Sequence, residues 1–120
     1  MTPADFKTAH EYLGLTTDYL AKRIGVSIGR IWAYEHPERT AHVPDHAAAV
    51  IDDLLLARQH AAQKLASWCI MAGYAAIPRY RDQIELEQLV DGIDGWGPLA
   101  QGLIIADAQH ITGLPVEWVA

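Results

Sequence analysis

The spacing of apolar positions changes several times along the chain, and each change marks an element. From Thr2 the pattern is helical: a hydroxyl N-cap, Pro3 at the first helical position, Asp5 at the third, then Phe6, Ala9 and Leu13 before a stop at Gly14. Thr16 caps a second helix over about 17–24, with Leu20, Ala21 and Ile24 inward, and Gly25 supplies the left-handed turn that ends it. Ser27 caps a third helix over about 28–35. The loop HPERTAHVP follows, bounded by Pro37 and Pro44. From Asp45 a long helix is expected to run to about Ala72, with Gly73 as its stop. Its expected spine is Val50, Leu54, Ala57, Ala61, Leu65 and Trp68. Ile51 and Leu55 widen the apolar face in the first half, which should therefore pack on two neighbours and the second half on one.

After Gly73 the rhythm shortens. YAAIPRY reads as a strand, and Pro78 restricts it to an edge or a bulge. Asp82 caps a short helix through about Leu89, and VDGIDGWG reads as a loop. PLAQGLIIADAQHI is a helix apolar nearly all round, which must be covered on several sides. The remaining chain looks too short to cover it, so a second subunit is the expected cover. Ile77, Trp96, Leu99, Leu103, Ile104 and Ile105 are the expected dimer interface, with Gly97 and Gly102 allowing close approach. PVEWV reads as a last strand. The expected fold is mainly α: an N-terminal helix-turn-helix bundle and long connecting helix in residues 1–68, then a small α+β dimerisation region in 69–120.

Charge changes this picture. The 120 residues carry a net charge of −6, which argues against a nucleic-acid partner. The excess is uneven, however. Residues 1–44 balance Lys7, Lys22, Arg23, Arg30 and Arg39 against as many acids, and the surplus acid lies beyond residue 44. The second half should repel phosphate; the first need not. Cys69 is the single cysteine, which excludes an intramolecular disulfide and a cysteine-rich zinc site. The N-terminus lacks a signal-peptide pattern and no apolar run reaches about 18 residues, so a soluble cytoplasmic protein with no membrane partner is expected.

Residues 15–35 carry the functional signal. Leu20, Ala21, Ile24, Val26, Ile31 and Tyr34 fall on facing sides of two helices joined at Gly25-Val26. A small alanine lets the helices cross closely, glycine makes the turn and Val26 plugs the corner, which is helix-turn-helix spacing. An ordinary helical hairpin is the plainer alternative.

With those residues, the Tyr34-Glu35 pair and the downstream Pro44, the run resembles the Xre/Cro-type helix-turn-helix. VPDHAAAVIDDLL, AAIPRYRD and IDGWGPLAQGLIIADA follow the order of its YdiL-like group, which includes anti-CRISPR-associated autorepressors. The resemblance implies a transcriptional repressor that dimerises through its C-terminal region and binds inverted repeats in double-stranded DNA. Two features depart from the family. Pro37 stands where a glycine is common, and Gly29 and Ala33 occupy positions where polar base-readers often sit.

The expected DNA-binding residues are Thr16, Thr17, Ser27, Ile28, Gly29, Arg30, Trp32, Ala33, Arg39 and Thr40. Arg30 suits a bidentate guanine contact, a phosphate contact or a salt bridge with Glu35. Trp32 either meets DNA or folds back on Pro37 or Arg39. Thr16, Thr17 and Ser27 stand at helix N-termini, where hydroxyls and amides meet phosphate. Arg39, Thr40 and His42 either add backbone contacts or form a plain solvated loop. An antitoxin with the same DNA-binding head, or an RNA- or protein-binding module reusing the fold, are the alternatives.

Other signals are weaker. His42 and His46 have i,i+4 spacing, but Pro44 interrupts the helix between them and no further ligand completes a metal set. GWGPLA fits G-x-G-x-x-A without a preceding buried strand. DGIDG resembles calcium chemistry but leads to Gly102 where an EF-hand needs Glu. Cys69 lies in an apolar helix and is expected in the core. No nucleophile–base–acid set emerges, so neither an enzyme nor a cofactor or metal is expected.

Overall fold

Three side-chain caps set the first three helices. In the computed structural model, which describes residues 1–119 with the side chains of Gln83 and Ile84 excepted, the Thr2 hydroxyl accepts from the Asp5 amide at 3.1 Å. The Asp5 carboxylate accepts from the Thr2 amide at 3.1 Å in return, starting α1 (Pro3–Leu13). The Thr16 hydroxyl accepts from the Tyr19 amide and that of Ser27 from the Arg30 amide, both at 3.1 Å, starting α2 (Thr17–Ile24) and α3 (Ile28–Tyr34). Gly25 ends α2 at φ 83°, a backbone conformation that costs any residue with a Cβ.

Beyond these lie α4 (Asp45–Met71), β1 (Ile77–Tyr80), α5 (Gln83–Leu89), α6 (Pro98–Thr112) and β2 (Val116–Val119). The protein is mainly helical with one small two-stranded sheet. The strands run parallel, Ile77 opposite Val116 through Tyr80 opposite Val119. Parallel neighbours require a crossover, and α5 and α6 form it. Pro78 is accommodated because each strand of a two-stranded sheet is an edge.

The chain divides into two compact units, Met1–Leu56 and Ala57–Ala120. The division falls inside α4, earlier than the expected 68/69 boundary; Ala120 lies outside the described residues. An unbroken helical pattern hides the point at which a helix changes its packing partners.

In the first unit the buried side chains are Phe6 and Leu13 of α1, Leu20, Ala21 and Ile24 of α2, Ile31 and Tyr34 of α3, and Ala47, Ile51 and Leu54 of α4. Leu15 and Val43 join them from the connections. Phe6 meets Tyr34 edge to face at 5.6 Å between centroids.

In the second unit Ala61, Ala62, Leu65, Ala66 and Cys69 of α4 are buried. This corrects the expected spine: Val50, Ala57 and Trp68 are only half-buried, and the broader buried face lies in the second half of α4. The buried face also takes in Ala62 and Ala66, which lie outside the expected spine.

The expected dimer interface is corrected in the same way. Ile77, Trp96, Ile104 and Ile105 are all buried within their own unit. The loop before α6 anchors itself through Ile93 and Trp96, and the Trp96 carbonyl accepts from the Gln101 side-chain amide at 3.0 Å. Much of the apolar circumference of α6 is thus covered by the chain's own sheet, α5 and this loop. Leu99 is 66% exposed and Leu103 half-buried.

Arg58, in the middle of α4, is 4% exposed and forms a two-pronged pair with Asp107 of α6, Nε to Oδ2 at 2.7 Å and Nη2 to Oδ1 at 3.0 Å. Sequence reading passed over it. The available signal was an arginine at helical spacing between Leu54 and Ala61, on the buried stripe. No helix among the described residues is long and apolar enough to cross a membrane.

Candidate nucleic-acid interface

The short helix α3 has two unlike faces. Ile31 and Tyr34, three apart, are buried against the unit. Ile28 and Trp32, four apart, lie on the other side and are 54% and 46% exposed. Gly29 and Arg30 are exposed beside them, and Ala33 is half-buried. A Cβ built on Gly29 would meet nothing nearer than the Ser27 hydroxyl at 3.9 Å, so the helix offers a low surface there.

Trp32 does two things. Its ring stacks on His36 at 3.8 Å between centroids and 22° between planes, and the Arg39 guanidinium lies 5.4 Å from its centroid. His36 also contacts the Trp32 carbonyl through Nδ1 at 2.6 Å. The His36 carbonyl accepts from the amides of Arg39 and Thr40 at 2.9 and 3.1 Å, turning the chain directly after α3. Trp32 therefore holds the loop that follows α3 while nearly half its surface stays open. Folding back on Arg39 and facing outward are both realised.

Arg30 forms no ion pair among the described residues. Its expected alternative partner, Glu35, is taken by His10, whose Nδ1 lies 2.5 Å from Glu35 Oε1. The other ring nitrogen of His10 faces the Leu15 carbonyl oxygen at 2.9 Å. One imidazole of α1 thus ties the end of α3 to the connection before α2. This tie was not read from the sequence, since residues 10 and 35 share no motif.

Thr16 and Ser27 are exposed at the starts of α2 and α3, and their hydroxyls accept the capping amides while keeping an O–H to donate. Thr17 and Thr40 are half-buried, and Arg39 is exposed. All ten keep solvent-accessible surface, and six of them (Ser27, Ile28, Gly29, Arg30, Trp32 and Ala33) sit at or on α3. Lys22 pairs with Asp18 at 3.0 Å across one turn, both well exposed, a contact of little energetic weight.

His42 and His46 are exposed, and among the described residues no three His, Cys, Asp or Glu side chains are grouped to hold a metal ion. Cys69 is buried, and burial pushes its thiol pKa up, which disfavours the reactive thiolate. The chain matches no protein-family model, no curated protein and no solved structure.

Proposed function

We propose that α2 and α3 form a helix-turn-helix that binds double-stranded DNA, and that the protein is a homodimeric transcriptional repressor acting on an inverted-repeat operator, its own promoter included. One observation carries this reading. On α3, Ile31 and Tyr34 are buried while Ile28, Gly29, Arg30 and Trp32 are exposed, and the Arg30 guanidinium has no ion pair among the described residues. A helix held rigidly from behind and open in front suits insertion into a major groove about 12 Å wide.

The roles follow from chemistry. Arg30 would grip the N7 and O6 acceptors of a guanine. Ile28 and the Trp32 indole would pack on thymine methyls and sugar. Thr16, Ser27, Arg39 and Thr40 would contact phosphate and fix the register. With one polar base-reader on the helix, the rest of the specificity would come from DNA shape. For the second subunit, the apolar surface still open on the C-terminal unit includes Leu99, Ile70 and Met71.

Footprinting on the gene's own upstream DNA tests the reading. The expected result is a twofold-symmetric footprint with half-sites about one turn, roughly 34 Å, apart. Arg30→Ala should cost about 1–3 kcal/mol and relax preference at one base pair. Unprotected DNA, or parental affinity in both Arg30→Ala and Trp32→Ala, would refute the assignment.

A further inference from the structure

The four basic side chains after residue 56 fall into two pairs of opposite kind. Arg58 is neutralised by Asp107 and Lys64 by Asp91. Arg79 and Arg81 have no carboxylate partner among the described residues. Both instead converge on one ring, their Cζ atoms 5.3 and 5.1 Å from the centroid of Trp118. Arg79 lies opposite Trp118 in register, and Arg81 follows directly after the end of β1.

These three side chains line a cavity of about 120 Å³, with Leu86, Gly102 and Ile105 among its walls. Gly102 explains how Arg79 fits. A Cβ there would lie 3.1 Å from both Nη atoms, so the guanidinium rests where a side chain is missing. Trp118, although tied to β2, remains 60% exposed.

Two like charges drawn to one ring repel each other, and stacking occupies the face of a guanidinium while leaving N–H donors in its plane. The arrangement therefore concentrates positive charge and hydrogen-bond donors beside a partly apolar cavity, in a unit whose other cations are paired. We propose that this cavity binds a phosphate monoester. Two guanidiniums match a group carrying close to two negative charges at neutral pH, whereas a carboxylate offers one. Each planar fork can also hold two phosphate oxygens at once. The cavity is open to solvent on one side, so a phosphate group can enter it while its carrier extends outward.

The test titrates the full chain with phenyl phosphate and with inorganic phosphate at constant ionic strength, following the Trp118 indole N–H resonance by NMR. That resonance is identified by its loss in Trp118→Phe. A saturable shift is expected with both probes, with acetate at least tenfold weaker. Arg81→Gln, at an exposed position, should weaken binding at least tenfold. Arg79→Gln should do so too, by removing the second guanidinium. Absence of a saturable shift, or an unchanged affinity in Arg81→Gln and Arg79→Gln, overturns the site. Acetate binding as tightly as phosphate overturns the assignment to a dianion.

Discussion

Replacing Asp107 by alanine leaves the Arg58 guanidinium buried beside an empty position. The arginine is 4% exposed and donates to Asp107 at 2.7 and 3.0 Å. Losing one member of a buried pair costs about 3–5 kcal/mol, because the surviving charge keeps its desolvation penalty and loses the attraction of that carboxylate. The Asp107 side chain is 33% exposed, so water can reach part of the vacated space, which puts the expected loss near the lower end, about 3 kcal/mol. For a unit of this size each kcal/mol moves Tm by about 4–8 °C, so the loss should lower the midpoint by roughly 12–24 °C. Thermal and urea unfolding followed by circular dichroism at 222 nm measure it. The double variant Arg58→Met with Asp107→Ala should recover most of the loss, since methionine fills the space without a charge. A loss below about 1 kcal/mol in the single variant, or a double variant no better than the single one, would refute the claim that stranded charge sets the cost.

Other outcomes separate surface from core. Ile105→Asp should unfold the second unit, whereas Leu99→Asp should leave the monomer folded and, if α6 forms the subunit contact, shift the sedimentation coefficient to that of a monomer. Trp32→Ala should lower stability by only about 0.5–1.5 kcal/mol, the worth of its ring stacking, as read by thermal melting; a larger loss would place the indole in the core. Cys69 should resist a thiol reagent under native conditions and react at once in denaturant, because burial both hides the thiol and raises its pKa. The Asp5 pKa is lowered below its ordinary 3.8 by hydrogen bonds to Thr2. Its contribution to stability is therefore full above the unfolded value and disappears as pH falls through the folded one. Acid titration of Asp5→Asn should show that part of the pH dependence missing below about pH 4, whereas Thr2→Ala keeps the backbone amide that supplies the chief hydrogen bond.

Local chemistry was legible in the chain itself. Thr2, Thr16 and Ser27 begin helices, and Gly14, Gly25 and Gly73 stand where the backbone takes positive φ, because caps and left-handed turns depend on residues a few positions apart. Of the expected inward set, Leu20, Ala21, Ile24, Ile31 and Tyr34 are buried and Val26 is half-buried; of the expected outward face, Ile28, Gly29 and Trp32 are exposed and Ala33 is half-buried. Pairings between distant residues were decided only by the tertiary structure. Arg58 finds Asp107 across 49 positions and His10 finds Glu35 across 25, and no local rule connects them. The same holds for Arg79, Arg81 and Trp118. Arg79 and Arg81 are near in sequence, but which strand lies beside them depends on a parallel crossover through α5 and α6. The apolar run of α6 stated that the helix must be covered, and the expected cover was a second subunit. Ile104, Ile105 and Trp96 turn inward because one chain of this length, folded in two units, already supplies the sheet, α5 and anchored loop that bury them. Periodicity counts how much surface must leave water; the identity of the covering surface is a property of the packed fold.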